Sequence, residues 1–83
     1  IGYPIWWGDA PMCVYTFLFS VDLSGKTIRP FCTHEGSGAS GTQSKLKKAE
    51  PNATVKSVLA IRGTTAQNNA ATVKKEVSAW LEN

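Results

Sequence analysis

The sequence predicts an α/β fold built on a parallel sheet, and three observations carry the prediction. Strand-like apolar runs at 1–7, 27–33 and 54–63 alternate with helix-like stretches at about 9–21, 42–50 and 69–81. Strands alternating with helices imply parallel pairing through right-handed crossovers. The chain has 83 residues, 42% of them hydrophobic and 18% charged, which is the composition of an ordinary globular protein and enough for one small domain. A domain of that size buries only about 60–65% of the surface of its unfolded chain, so its stability margin is narrow.

Ile1 to Trp7 reads as the end of a buried strand. In "GDAP" Asp9 is placed to cap a helix, and Pro11 suits a first turn, where its missing N–H costs nothing. Val14, Phe17, Leu18 and Val21 then recur at the spacing of one helical face. The glycine of "DLSGK" (22–26) ends that helix. "TIRPFCT" (27–33) is the second strand, although Pro30 removes a ladder donor. "HEGSGASG" (34–41) is a glycine-serine loop. Thr42 to Glu50 forms a short polar helix that Pro51 stops. "TVKSVLAIRG" (54–63) is a third strand, β-branched and apolar at its centre. The last helix runs from about Asn69 to Leu81, capped by Asn68 or Asn69. Val73, Val77, Trp80 and Leu81 form its buried stripe, with Lys74, Lys75 and Glu82 off it.

Charge and cysteine usage narrow the function classes. The net charge is +3, and its lysines fall in two groups, Lys45 with Lys47 and Lys48, and Lys74 with Lys75. Groups like these are the solvated faces of helices. A nucleic-acid footprint needs a broader basic stripe with interleaved aromatics, so no nucleic-acid partner is expected. Cys13 and Cys32 have no metal-ligand spacing and read as reduced, buried thiols of a cytoplasmic protein. The apolar run "MCVYTFLFSV" is too short to cross a bilayer, so no membrane partner is expected. The chain starts inside an apolar run and not at methionine, as part of a larger protein would.

Ligands of open parallel sheets sit at the carboxyl ends of the strands. Here those ends are "PIWWGD", "CTHEGSG" and "RGTTAQ". An isolated tryptophan pair is more often core than platform, but a Pro–Gly frame at a strand end favours the platform. His34 has no nucleophile beside it and makes a poor general base. Glu35 suits a bond to a ring N–H or simple solvation, and Trp80 reads as core. The first two loops complement each other, one offering large aromatic planes and the other backbone N–H groups. Together they fit a flat heteroaromatic molecule with polar atoms along one rim.

The stretches "GYPIWWGDAP", "LSGKTIRPFCTHEGSG" and "VSAWL" resemble, in order and over essentially the whole chain, the carboxyl-terminal half of a flavodoxin-like protein. The resemblance implies a three-layer α/β/α fold, of which residues 1–83 supply the last three strands and helices as the carboxyl-terminal part of a single domain. It implies an FMN-binding electron carrier, or a related FMN-dependent NAD(P)H oxidoreductase. Carried over, Pro4, Ile5, Trp6, Trp7 and Gly8 form the first flavin loop. Thr33, His34, Glu35, Gly36, Ser37 and Gly38 form the second. A Trp7–Gly8 peptide free to rotate would present its carbonyl to the flavin N5–H only after reduction, and Gly8 tolerates both conformations. Asp9 and Glu35 would disfavour the anionic reduced flavin, giving one-electron transfer at low potential.

The family's phosphate-binding loop follows its first strand, and this chain has no segment that matches it, so the chain by itself is expected to hold FMN weakly. In the strand order 2-1-3-4-5 the strand ending at Trp7 would have one open edge. An open edge invites pairing, so the expected partners are a redox protein and either a complementary amino-terminal segment or a second copy. Two alternatives stand beside this reading, a non-redox interaction module on the same architecture and a dinucleotide-binding fragment. "GSGASG" (36–41) matches the dinucleotide pattern GxGxxG, with Arg62 about 20 residues on in place of the usual acid, as NADP would require.

Overall fold

The computed structural model describes residues 1–82. Its main sheet holds three strands, β1 (Gly2–Pro4), β3 (Phe31–His34) and β5 (Leu59–Arg62), in the order β1-β3-β5 and parallel throughout. A second, two-stranded parallel ladder joins β2 (Thr27–Ile28) to β4 (Thr54–Val55). Four helices connect them: α1 (Met12–Ser20), α2 (Thr42–Ala49), α3 (Gly63–Asn68) and α4 (Ala70–Leu81). The expected α/β class, parallel pairing and partial flavodoxin-like layering are all present.

Two strands expected to be continuous are each broken in two. Strand 27–33 divides at Arg29 and Pro30 into β2 and β3, and strand 54–63 divides at 56–58 into β4 and β5. Paired residues stand 27 apart in the first ladder and 28 apart in the second, so the later segment carries one extra residue. Pro30 explains the break, because it has no N–H to donate. Its carbonyl still accepts from the N–H of Leu59 at 3.0 Å, so the chain keeps its direction through the interruption.

Alternation along β3 fixes what lies on each side of the sheet. Tyr3 and Cys32 are paired in register and both buried, and they join Ala10, Val14, Leu18 and Leu46 in one core. That face is covered by α1 and α2. Phe31 points the other way. Its ring lies over Gly2 and meets Trp80 of α4 edge-on, with centroids 5.7 Å apart.

The helices differ from expectation at their termini and faces. Pro11, not Asp9, occupies the N-cap position of α1, and no side chain caps that end. Val14 and Leu18 are the buried residues of α1, whereas Phe17 is exposed and Val21 lies beyond the helix. Helix α2 ends one residue early, at Ala49, with Glu50 as its cap. Asn69 caps α4 as expected, its side chain accepting from the N–H of Thr72 at 3.1 Å. No residue of α4 is fully buried: Val73, Val77 and Trp80 are partly covered and Leu81 is exposed. Trp80 is thus a half-covered contact residue and not core, donating its Nε1–H to the carbonyl of Ser57 at 3.3 Å. Cys13 is exposed on α1, so only Cys32 is the buried thiol expected of both. The lysines at 45, 47, 48, 74 and 75 are all exposed.

Candidate functional site

Parallel pairing brings the two predicted loops together. Pro4 and Thr33 are partners in the β1–β3 register, and the N–H of Ile5 donates to the carbonyl of Thr33 at 2.8 Å. Farther out, a Cβ built on Gly8 would lie 3.5 Å from the Oγ of Ser40. The two segments therefore adjoin at their strand ends and again where Gly8 nears Ser40.

The first loop is a two-residue hairpin turn. The N–H of Trp6 donates to the carbonyl of Asp9 at 2.8 Å, and the N–H of Asp9 returns a bond to the carbonyl of Trp6 at 3.1 Å. Trp7 and Gly8 lie between them with φ of 53° and 77°. Two positive φ angles in succession are what the tight primed hairpin turn demands. Glycine meets that demand freely, but a tryptophan there is strained by about 1–3 kcal/mol. Trp7 is also fully exposed, at 105% of its reference area, and Trp6 is 61% exposed. Strain and full exposure thus coincide on one indole, which packs against no core. These residues form a platform.

Asp9 holds the platform from behind. Its Oδ1 accepts from the hydroxyl of Tyr15 at 2.6 Å and from the N–H of Ala10 at 2.7 Å. Its Oδ2 pairs with the Nζ of Lys45 at 2.9 Å. The Tyr15 bond first, and Lys45 next, hold the Asp9 carboxyl below the usual carboxylate range. Burial and the adjoining carboxylate push the Tyr15 hydroxyl up. The network is therefore intact at neutral pH and fails only in acid, once Asp9 takes up a proton. Because Lys45 balances its charge, Asp9 is not the bare carboxylate that the sequence suggested beside the site.

The second loop is tied down by α2 and by itself. The hydroxyl of Tyr3 donates to Thr42 Oγ1 at 2.9 Å, and that hydroxyl donates to the carbonyl of Ala39 at 2.7 Å. Burial, partly offset by the Thr42 bond, raises the Tyr3 hydroxyl above its ordinary value. His34 Nδ1 accepts from the N–H of Gly36 at 2.9 Å, so this histidine shapes the turn. Gly36 has φ of 127°, a conformation open in practice only to glycine. Thr33, Glu35 and Ser37 are exposed, and Gly38 is partly covered.

The site is an open shelf. Two grooves among the described residues lie elsewhere, one of about 410 Å³ along β5 and α4 and one of about 320 Å³ between α1 and α2. The loops present exposed rings, Trp6 and Trp7, and exposed backbone-rich turns. Among the described residues no group of side chains could hold a metal ion. Sequence reasoning missed Tyr15, Lys45, Tyr3 and Thr42 as supports of the loops. Their partners are 6, 36 and 39 residues away in sequence, and no local pattern announces such bonds.

The profile of the flavodoxin family matches residues 1–83. Among crystal structures, a protein of Bacteroides eggerthii, provisionally described as a flavoprotein, is similar with a TM-score of 0.77 and 36% identity, over 99% of this chain and 46% of its own. A second of the same description, from Bacteroides uniformis, gives a TM-score of 0.77 and 33% identity, over 94% of this chain and 47% of its own. The chain spans about half the length of each. None of the curated proteins matches it.

Proposed function

The chain belongs to the flavodoxin family, and from that premise we propose that it binds FMN at its two loops and passes electrons singly to a redox partner protein. The observation that carries this reading is Trp7, an indole held in a strained turn and fully exposed, in a loop that adjoins the loop after β3 at Thr33 and at Ser40. A flavin supplies the redox chemistry when bound, while the protein binds and orients it. Trp6 and Trp7 offer apolar planes to the ring. Thr33, Glu35, Ser37 and the backbone of Gly36 and Gly38 offer donors and acceptors to its polar rim. Pro4 and Ile5 set the direction of the first loop, and His34 sets the turn of the second. Among the described residues no helix is long and apolar enough to cross a membrane. Both cysteines are free thiols, in keeping with a cytoplasmic protein.

Gly8 is the residue at which this reading is most readily tested. A rotation of the Trp7–Gly8 peptide would turn its carbonyl between two orientations, and only glycine accepts both without strain. Stepwise reduction of the whole FMN-loaded protein is expected to show two separated one-electron potentials. Gly8→Val is expected to bring them together. One two-electron wave in the unsubstituted protein counts against a carrier and for a reductase.

The outer edge of β1 pairs with no described strand. Open N–H and C=O groups beside apolar side chains favour strand addition. In this reading a complementary segment or a second copy supplies the missing neighbour. Sedimentation across a range of concentrations is expected to show association. A monomer at every concentration that also captures no complementary segment contradicts it.

A further inference from the structure

We propose that Arg62 is the cation of the flavin shelf, placed to favour the reduced, anionic flavin over the forms that precede it. The inference rests on the flavin reading of the two loops and adds to it the residue that sets the potential.

Arg62 is the last residue of β5 and the register partner of His34, so the sheet itself delivers it to the second loop. A Cβ built on Gly36 would stand 3.2 Å from the Arg62 Nη2 and 3.9 Å from its Cζ. The guanidinium therefore lies against the backbone of the loop at Gly36, which has no side chain to displace it. The next residue repeats the arrangement in reverse. A Cβ built on Gly63 would stand 2.7 Å from the Glu35 Oε1. Gly36 and Gly63 thus accommodate the Arg62 and Glu35 side chains, and larger residues at either place would push the charges away.

The charge on Arg62 is not spent elsewhere. Among the described residues the ion pair at the site joins Lys45 to Asp9, and Arg62 takes part in none. The Asp9 carboxylate is already paired, so the charged groups at the shelf outside a direct ion pair are Glu35 and Arg62, of opposite sign, and the larger effect on the flavin is assigned to Arg62. A flavin that has accepted two electrons and one proton is an anion, whereas the oxidised ring is neutral. A guanidinium beside the loop backbone at Gly36 acts on that difference, and because Arg62 is exposed the interaction is screened by water and salt. Arg62 is a tuning residue here. It need not touch the ring.

The test is a spectroelectrochemical titration of the whole protein loaded with FMN, comparing the unsubstituted protein with Arg62→Gln and Arg62→Lys. Arg62 is exposed, so both variants are expected to fold, with thermal unfolding as the check. Arg62→Gln is expected to lower the potential of the second electron by about tenfold in the reduced-to-half-reduced ratio, about 59 mV for one electron. Arg62→Lys is expected to retain most of the original potential, and added salt to shrink the difference between the variants. Unchanged potentials in Arg62→Gln with FMN bound overturn the proposal and leave the flavin site standing. Failure of the unsubstituted protein to bind FMN overturns both.

Discussion

Trp7→Ala is expected to weaken FMN binding by about 1–3 kcal/mol, the scale of losing one aromatic plane from a stacked base, and to leave the fold intact. The two halves of that expectation have separate causes. Trp7 is fully exposed and makes no core contact, so its removal uncovers nothing. Alanine also removes a bulky residue from a left-handed conformation without restoring the freedom of glycine, so unfolding should change by a few tenths of a kcal/mol at most by the usual scale for surface substitutions. Affinity read from tryptophan quenching and stability read from urea unfolding separate the two. Equal affinity in the variant would remove the platform from the account. Trp6→Ala should cost less affinity, because Trp6 is less exposed and its backbone closes the turn through bonds that alanine keeps.

Leu46→Ala is expected to destabilise the protein by about 2–5 kcal/mol, the range of leucine truncation in packed cores. Leu46 is 0% exposed and sits where α2 meets the sheet, in the cluster with Tyr3, Val14, Leu18 and Cys32. The same helix carries Thr42, which anchors the second loop through Tyr3, and Lys45, which anchors the first through Asp9. Loss of packing under α2 therefore loosens both loops at once. A typical domain is stable by only 5–15 kcal/mol, so the loss is a large share of the whole. Leu81→Ala provides the contrast. Leu81 is exposed, and its truncation should shift the urea midpoint little. A shift below about 1 kcal/mol in Leu46→Ala, outside the range for a buried leucine, would mean that α2 does not hold the core.

Much of this arrangement was legible in the sequence, and the illegible parts share a physical cause. Alternation of strand and helix periodicity announced the parallel order, and Asn69 announced the start of α4. The strand-end residues "PIWWG" and "THEGSG" announced both loops, because parallel topology places strand ends side by side whatever the side chains do. Pro30 was recognised as a poor strand residue, but the one-residue shift between the two ladders depends on a partner 28 positions away. The apolar face of α1 was read as Val14, Phe17, Leu18 and Val21. A helix that is apolar nearly all round carries no periodic signal to say which face packs, and burial fell on Val14 and Leu18. Asp9 looked like a helix cap. Its actual partners, Tyr15 and Lys45, were set by tertiary contact, as were the closeness of Arg62 to Gly36 and the half-exposure of Trp80.

Backbone amide chemical shifts, followed while FMN is titrated into the whole protein, test the central claim most directly. The account predicts that the largest changes fall on Trp6, Trp7 and Gly8 and on Thr33 through Gly38, with smaller ones at Ser40 and Arg62. Changes centred on the α1–α2 groove or on the β5–α4 groove, with both loops unmoved, would contradict it.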